Sequence, residues 1–544
     1  MLWKNEIRIE QLIMTDKQGV SLNNTGRKKL VIAGFALFVT AMLISVIGIA
    51  NTQHWSGDFS QYISQARAIA DGNVNEWFAK HSYTIDHSAS GLGAHSYPWL
   101  TSIMIIPIYM IWGINYIPYQ IFMAFCFAVT VIALYIMLLR RNVKFSAVLL
   151  ICGALIINIH YVSLTKSILS DIPCLMFTII CWALIDRYLE TRTVKYAILV
   201  GVLSFAAFST RTMALALLAA MGIIDLIHFI KELKNKKMTV KAFAVMCVPY
   251  VTFLVLAALL SVMLPKGGST YLDYFSVTSK QLISNITYYG NMLLSMFTQN
   301  IQNVSFLPKY LREHNKIIPV CLVVIMIPFI ISAVIGMIRR IRKSDHLPLY
   351  LIVMLLMLFV YDYQQGTRFI ISLFPVVLIM SYYGMNDIKE MSVEKKSGKE
   401  SSLRDNLMKI ARADFAIVLI LCMVFGAIRI ARGDTASPRQ EESVNSQYAL
   451  EVYDYINENL SKDDVVIFYR PRILRLYTDV YSYTNNTDLP ETIGDADYIL
   501  NCSGDSRYFD YINANKESLE LQFSNRQFRL YKIDKEKVGG SNNG

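Results

Sequence analysis

The sequence has 544 residues, of which 54% are hydrophobic and only 17% are charged, and its mean hydropathy is +0.38. Soluble domains average about 25% charged residues, so this composition excludes a disordered chain, a collagen-like chain and an ordinary cytosolic enzyme. The net charge of +11 does not indicate nucleic-acid binding, because the basic residues cluster between long apolar segments. We predict an α-helical polytopic membrane protein.

The N-terminal segment, residues 1–29, is polar and ends in Arg27, Lys28 and Lys29 directly before the first apolar run. Basic residues beside a membrane span favour the cytoplasmic side, which predicts a cytoplasmic N-terminus. No cleavage site of small residues follows the first run, so we expect it to be a retained anchor.

Eleven apolar segments approach the length that crosses a bilayer. Another segment, residues 98–113, is short and is interrupted by Pro107. If it does not cross, all the basic loop clusters share the cytoplasmic side with the N-terminus. We therefore expect about 11 transmembrane helices and an interfacial or re-entrant segment at 98–113. The predicted spans are 30–50, 117–139, 145–165, 168–186, 195–209, 212–230, 242–264, 317–338, 347–361, 369–384 and 414–431.

The odd number of spans places the C-terminus outside, and the predicted transmembrane region runs over 30–432, with a first outer loop at 51–116. The remaining residues, 433–544, are polar and alternate between helical and strand patterns, which predicts a small extracytoplasmic α/β domain. Its predicted elements are a helix over 446–460, strands over 464–469, 497–502 and 519–523, and a second helix over 505–515.

The cysteines and histidines do not indicate a metal site or a disulfide framework. Only Cys502 lies in a polar region; the other cysteines lie within or at the ends of apolar segments. His54, His81, His87 and His95 share the first outer loop, but their spacing matches no helical metal motif. We expect them to be ordinary loop histidines.

Charged residues at the predicted outer ends of the spans form one candidate site. Asp58 lies in the first outer loop, Lys166 and Asp171 lie in the next, and Arg211 and Arg368 belong to later ones. Carboxylates and cations that face one surface suit an anionic substrate held beside a general base.

Each of these residues also has a structural alternative. Asp58 and Asp171 could cap helices, the second with Pro173 early in the helix. Arg211 and Arg368 could extend to lipid headgroups. Both interpretations stay open at the level of the sequence.

Several segments together resemble the GT-C superfamily of polyprenyl-phosphate-sugar-dependent glycosyltransferases, near the protein-mannosyltransferase and aminoarabinose-transferase branch. The resemblance runs over most of residues 30–432 and rests on the order, spacing and sidedness of the segments. They are GDFSQYISQARAIADG, YPWLTSIMIIPIYMIWGIN, LLRR, ILSDIPCLMF, FSTRTMA and GTRFIISLFPVVLIM, in chain order. The segment FYRPRILRLYTDV, at 468–480, also resembles an extracytoplasmic segment of this branch.

The resemblance implies a GT-C-like fold and an inverting transfer of a hexose or pentose from a polyprenyl-phosphate carrier. It implies that Asp58 is the catalytic carboxylate, either as general base or as a ligand of a divalent metal such as Mg²⁺ or Mn²⁺. Asp171 matches a second acidic position, and Arg368 matches the residue that meets the carrier phosphate. We add Lys166 and Arg211 to the predicted phosphate-binding residues. Where many relatives carry Asp-Glu, this sequence has Asp58 and Phe59.

The expected partners are the lipid-linked donor, membrane lipid, and a glycan, lipid or protein acceptor outside a bacterial plasma membrane. A leaving phosphate and an oxocarbenium-like sugar require a guanidinium and a carboxylate. The sequence lacks a glycine-rich phosphate loop for a soluble nucleotide donor. The alternative is a multi-pass transporter or flippase of a lipid-linked or polar substrate. Such a protein should show internal symmetry and matching broken helices, and neither is found.

Overall fold

The computed structural model describes residues 24–89, 92–265, 267–275, 278–300, 321, 324–387, 398–485, 493–504 and 507–540. Helices dominate up to residue 431 and a β-sheet follows. The helices before the sheet region are α1 (Asn24–Val46), α2 (Asp58–Ala70), α3 (Val74–His87), α4 (Leu100–Trp112), α5 (Tyr116–Arg140), α6 (Phe145–Ile156), α7 (Ile159–Lys166), α8 (Asp171–Thr191), α9 (Val194–Thr210), α10 (Ala216–Lys234), α11 (Val240–Met263), α12 (Ser279–Thr298), α13 (Ile327–Arg342), α14 (His346–Phe359), α15 (Leu373–Asp387) and α16 (Gly398–Ala431).

The fold is that of a helical multi-pass membrane protein. Among the described residues, six helices are long and apolar enough to cross a membrane, or seven if α6 and α7, bent by 49°, form one span. The prediction of about 11 spans also counts α9, α14 and α15, which have only 17, 14 and 15 residues. A straight span needs about 20 residues. The predicted span 317–338 lies partly outside the described residues.

The apolar segment 98–113 forms α4, a helix of 13 residues that contains Pro107. A helix rises by about 1.5 Å per residue, so α4 is shorter than the hydrocarbon core of about 30 Å. It packs against α2. That this segment does not cross the membrane stays a prediction, because α14 is nearly as short and is counted among the predicted spans.

The C-terminal region contains a five-stranded mixed sheet with the strand order β2-β1-β3-β5-β4. β1 pairs in parallel with β2 and β3, and β5 pairs antiparallel with β3 and β4. The predicted helices and strands of this region coincide with observed elements, but β2 and β5 were not predicted. The elements are α17 (Gln447–Asn459), β1 (Val465–Ile467), α18 (Pro471–Thr478), β2 (Tyr481–Tyr483), β3 (Tyr498–Cys502), α19 (Phe509–Ala514), β4 (Leu519–Ser524), β5 (Phe528–Ile533) and α20 (Lys535–Gly540).

Helix α18 attaches the sheet region to the first outer loop. Arg475 of α18 is buried, and its Nη1 donates to Oγ1 of Thr84 at 2.8 Å. From the loop, Nη1 of Arg67 donates to the carbonyl of Leu476 at 3.0 Å, and Nζ of Lys80 donates to a main-chain carbonyl just after α18 at 2.8 Å. These hydrogen bonds hold the second half of α18 against the end of α2 and against α3.

Candidate active site

A cavity of about 180 Å³ lies where the predicted outer loops meet the sheet region. The start of α2, the turn between α9 and α10, and the segments 271–275 and 361–369 contribute to its walls. The chain around the start of α18 forms another wall. Its polar lining side chains include Asp58, Tyr62, Arg211, Arg368, Arg470 and Arg472.

Two carboxylates begin helices at this site. Asp58 is the first residue of α2 and follows Gly57, whose φ of 78° favours glycine. Asp171 is the first residue of α8, after Ser170. Negative charge is stabilised in the first turn of a helix by the helix dipole. Neither aspartate occupies the N-cap position itself, since Gly57 and Ser170 do.

Arg368 joins the two carboxylates. Its Nη1 donates to Oδ2 of Asp58 at 2.8 Å, and its Nη2 and Nε donate to Oδ2 of Asp171 at 3.0 and 3.2 Å. Arg211 donates from Nη1 to Oδ1 of Asp171 at 2.6 Å. The site is therefore a chain of alternating charges in which Arg368 is central.

Burial separates the roles of the two carboxylates. The side chain of Asp171 is 0% exposed and is held by two guanidinium groups, whereas that of Asp58 is 25% exposed and lines the cavity. Burial alone would lower the pKa of Arg368, but Asp171 and Asp58 outweigh it and raise that pKa well above its ordinary value. Arg368 thus stays charged, and Asp58 is the carboxylate that a substrate can reach.

Tyrosine rings form an apolar wall beside Asp58. Tyr62 donates from its hydroxyl to Oγ of Ser170 at 2.7 Å, and its ring lies 5.4 Å from that of Tyr97. Burial, then Tyr97 and Asp58, raise the pKa of Tyr62 well above its ordinary value. Tyr62 is therefore neutral and holds the start of α8 in place.

The structure brings together Asp58, Asp171, Arg211 and Arg368, as the sequence predicted. It does not bring Lys166 to them. Nζ of Lys166 donates to Oγ1 of Thr435 at 3.2 Å. Lys166 is absent from the described residues that line the cavity. Lys166 is instead a buried contact between α7 and the chain that follows α16.

The residues present do not fit a divalent metal. In the described part of the chain, no group of three or more His, Cys, Asp or Glu side chains could hold a metal ion. Asp58 is the only carboxylate among the described residues that line the cavity. Its oxygens face Arg368 and Arg472. Divalent cations bind several oxygen ligands at once, and neighbouring guanidinium groups would repel them.

Arg470 and Arg472, which the sequence pattern did not identify as site residues, line the cavity from the sheet region. Both lie in the segment FYRPRILRLYTDV, which resembles an extracytoplasmic segment of relatives. Residue 472 is buried although it is an arginine, and the sequence alone does not reveal this. The one feature of the sequence that could have indicated this role is the pair of arginines, Arg472 and Arg475, among the apolar residues of α18.

A family model described as dolichyl-phosphate-mannose-protein mannosyltransferase matches residues 31–282. The crystal structure of ArnT from Cupriavidus metallidurans bound to undecaprenyl phosphate has a TM-score of 0.53 and 10% identity, over 92% of this chain and 97% of that chain. An Archaeoglobus fulgidus oligosaccharyltransferase tethered with an acceptor peptide has a TM-score of 0.45 and 11% identity, over 86% of this chain and 69% of that chain. No curated protein matches the sequence significantly.

The family match covers the segment that contains Asp58, Asp171 and Arg211, and Arg368 lies beyond it. The ArnT structure shares the overall fold. The predicted resemblance is confirmed: the chain is similar to the dolichyl-phosphate-mannose-protein mannosyltransferase family over residues 31–282, and it is a membrane glycosyltransferase that uses a lipid-phosphate sugar donor.

Proposed function

We propose that this glycosyltransferase transfers a sugar, with inversion, from a polyprenyl-phosphate carrier to a glycan, lipid or protein acceptor on the extracytoplasmic side of the membrane. The observation that carries the proposal is the carboxylate of Asp58, which is partly exposed and is the one carboxylate among the described lining residues of a cavity rich in guanidinium groups. This combination suits a reaction in which a base and an anionic leaving group act together.

Asp58 acts as the general base. It accepts the proton of the acceptor nucleophile while that nucleophile forms a bond to the anomeric carbon of the sugar. The bond between the anomeric carbon and the phosphate oxygen breaks on the opposite face, and the carrier phosphate takes up the electron pair. Nη1 of Arg368 donates to Oδ2 of Asp58 at 2.8 Å and so fixes the position of this carboxylate in the cavity wall.

Asp171 is a positioning residue in this mechanism. Its buried carboxylate accepts hydrogen bonds from both Arg211 and Arg368 and so fixes the two guanidinium groups at the edge of the cavity. Groups that are fixed before the reaction stabilise developing charge without a reorganisation cost. Arg211 and Arg368 are thus arranged toward the leaving phosphate.

The orientation follows from the charge pattern. With about 11 spans and a cytoplasmic N-terminus, the loop with Asp58 and the sheet region share the extracytoplasmic side. The contacts of α18 with α2 and α3 support this, because both elements must lie on one side of the membrane to touch.

Mass spectrometry of glycans and glycolipids from cells with and without the gene tests the proposed function. We expect one product to lose the mass of a hexose or pentose when the gene is absent, while the lipid-linked donor accumulates. Unchanged products and an unchanged donor pool would contradict the transfer and favour the transporter alternative.

A further inference from the structure

Arg472 is a buried arginine whose hydrogen-bonding capacity is mostly unused. It is 6% exposed, and its Nε and Nη2 atoms have no hydrogen-bond partner among the described residues. Its Nη1 lies 3.6 Å from Oδ1 of Asp58, and its guanidinium lies 5.4 Å from the centre of the Tyr97 ring. Buried donors without partners carry a large desolvation cost, so a ligand that fills them is expected.

The unused atoms define the shape of that ligand. Nε and Nη2 form one edge of the guanidinium, which presents two parallel N–H groups to a carboxylate or phosphate. Arg368 uses this same pair of atoms on the carboxylate of Asp171. In Arg472 the same edge belongs to a side chain that lines the cavity. Its Nη2 atom lies 3.5 Å from the position that a Cβ atom would take if residue 93 were not glycine.

The charges of the cavity match an oxyanion that gains charge during the reaction. Four guanidinium groups line the cavity, those of Arg211, Arg368, Arg470 and Arg472, and the described carboxylates paired with members of this group are those of Asp58 and Asp171. A phosphodiester carries one negative charge, and a phosphate monoester carries nearly two at neutral pH. The excess of positive charge in the cavity therefore stabilises the carrier phosphate best after the phosphate has left the sugar.

The position of Arg472 is fixed by the attachment of α18 to the first outer loop. Arg475, one turn along α18, donates to Oγ1 of Thr84 and to the carbonyl of Lys80 at 2.8 and 3.1 Å. The hydroxyl of Tyr477 lies 2.5 Å from that of Tyr116 at the start of α5. A side chain held this firmly can supply a preorganised charge.

We propose that the Nε and Nη2 edge of Arg472 binds the phosphate of the lipid-linked donor, so that the C-terminal sheet region supplies part of the donor site. This inference rests on the proposed function. The region after the membrane helices would then contact the leaving phosphate directly. Arg472 and Arg368 would bind that phosphate together.

Binding of a C55 polyprenyl monophosphate to the full chain in lipid nanodiscs tests the assignment, with native mass spectrometry or a titration as readout. We expect Arg472→Gln to weaken binding by at least about tenfold, the loss typical of a hydrogen bond to a charged group. Arg472→Lys should bind with intermediate affinity, because lysine keeps the positive charge but lacks the two parallel N–H groups of the guanidinium edge. Arg526→Gln, which removes an exposed arginine of the same region, should bind like the wild type.

Binding of the uncharged polyprenol distinguishes a lost phosphate contact from a damaged fold, because the polyprenol should bind equally to the wild type and to Arg472→Gln. Wild-type affinity of Arg472→Gln for the monophosphate overturns the inference and leaves the proposed function standing. A wild-type protein that binds no polyprenyl monophosphate contradicts the proposed function as well. In kinetic assays, a raised KM for the acceptor with an unchanged KM for the donor overturns the assignment to the donor.

Discussion

Nη1 of Arg368 lies 2.8 Å from Oδ2 of Asp58, although 310 positions separate the two residues in the chain. The other edge of the same guanidinium binds Asp171. One side chain therefore connects the carboxylate that faces the substrate with the carboxylate that is buried, and the geometry of the whole site depends on it.

Replacement of Arg368 by alanine should mainly weaken use of the lipid-phosphate donor. Truncating one partner of a buried charged contact costs about 2–5 kcal/mol, so the KM for the donor should rise strongly, and kcat should fall because Asp58 loses its partner. Donor titrations of Arg368→Ala and of the exposed control Arg439→Ala measure this. Titration curves of Arg368→Ala that overlay those of the wild type would remove Arg368 from the donor site.

The positions of the membrane helices could be predicted, but the number of long spans could not. Apolar runs specify helices well, and α5, α8 and α11 lie where they were expected. Hydropathy does not separate a full span from a short apolar helix such as α9 or α14, because both present the same residue types. In the sheet region, the sequence of β5 alternates between buried and more exposed positions, a pattern that is typical of a strand.

The meeting of Asp58, Asp171, Arg211 and Arg368 could be predicted because each lies in or beside a predicted outer loop. Side-chain direction could not be predicted from the same pattern. Lys166 is the last residue of α7, yet its amine donates to Thr435, in the chain after α16. Such contacts depend on packing between distant segments, which the sequence does not display.

Cysteine labelling in intact cells tests the orientation. We expect Ser461→Cys, in the exposed turn after α17, to react with a membrane-impermeant thiol reagent. Lys237→Cys, in the exposed loop between α10 and α11, should react only after the membrane is permeabilised. The basic loop that contains Lys237 favours the cytoplasmic side. Labelling in the reverse pattern would place the cavity on the cytoplasmic face.

Acidification should destabilise the protein partly through His81. Its side chain is buried and stacks on Trp77 with ring centres 5.1 Å apart. Burial, then the charges of Arg472 and Arg475, hold the pKa of His81 well below its ordinary value. Protons therefore bind the unfolded chain first, and the folded state loses about 1.4 kcal/mol for each pH unit below about 6.5 until His81 itself is protonated.

Thermal unfolding of purified protein between about pH 7.5 and about pH 5.5 measures this effect. The Tm of the wild type should fall more steeply on acidification than the Tm of His81→Gln. His54→Gln, which changes an exposed histidine of the same loop, should follow the wild type. Parallel Tm curves for the wild type and His81→Gln would show that His81 does not carry the pH dependence.

Sugar transfer should persist without added divalent metal. Asp58 faces Arg368 and Arg472 rather than other acidic ligands, and the described residues offer no cluster of three metal-binding side chains. We expect EDTA to leave the initial rate of transfer within about twofold of the untreated rate, since one carboxylate binds such cations weakly. A complete loss of activity that Mg²⁺ or Mn²⁺ restores would contradict the metal-independent mechanism.

The most direct test of the central claim is the transfer activity of Asp58→Asn, measured as the sugar mass added to the product in cells that lack the native gene. The amide keeps the shape of the side chain and cannot act as a base at neutral pH. We expect the variant to insert and purify normally but to add no sugar, whereas Asp71→Asn, an exposed change at the end of α2, should complement fully. Near-wild-type product from Asp58→Asn would contradict the account, because no other described carboxylate lines the cavity.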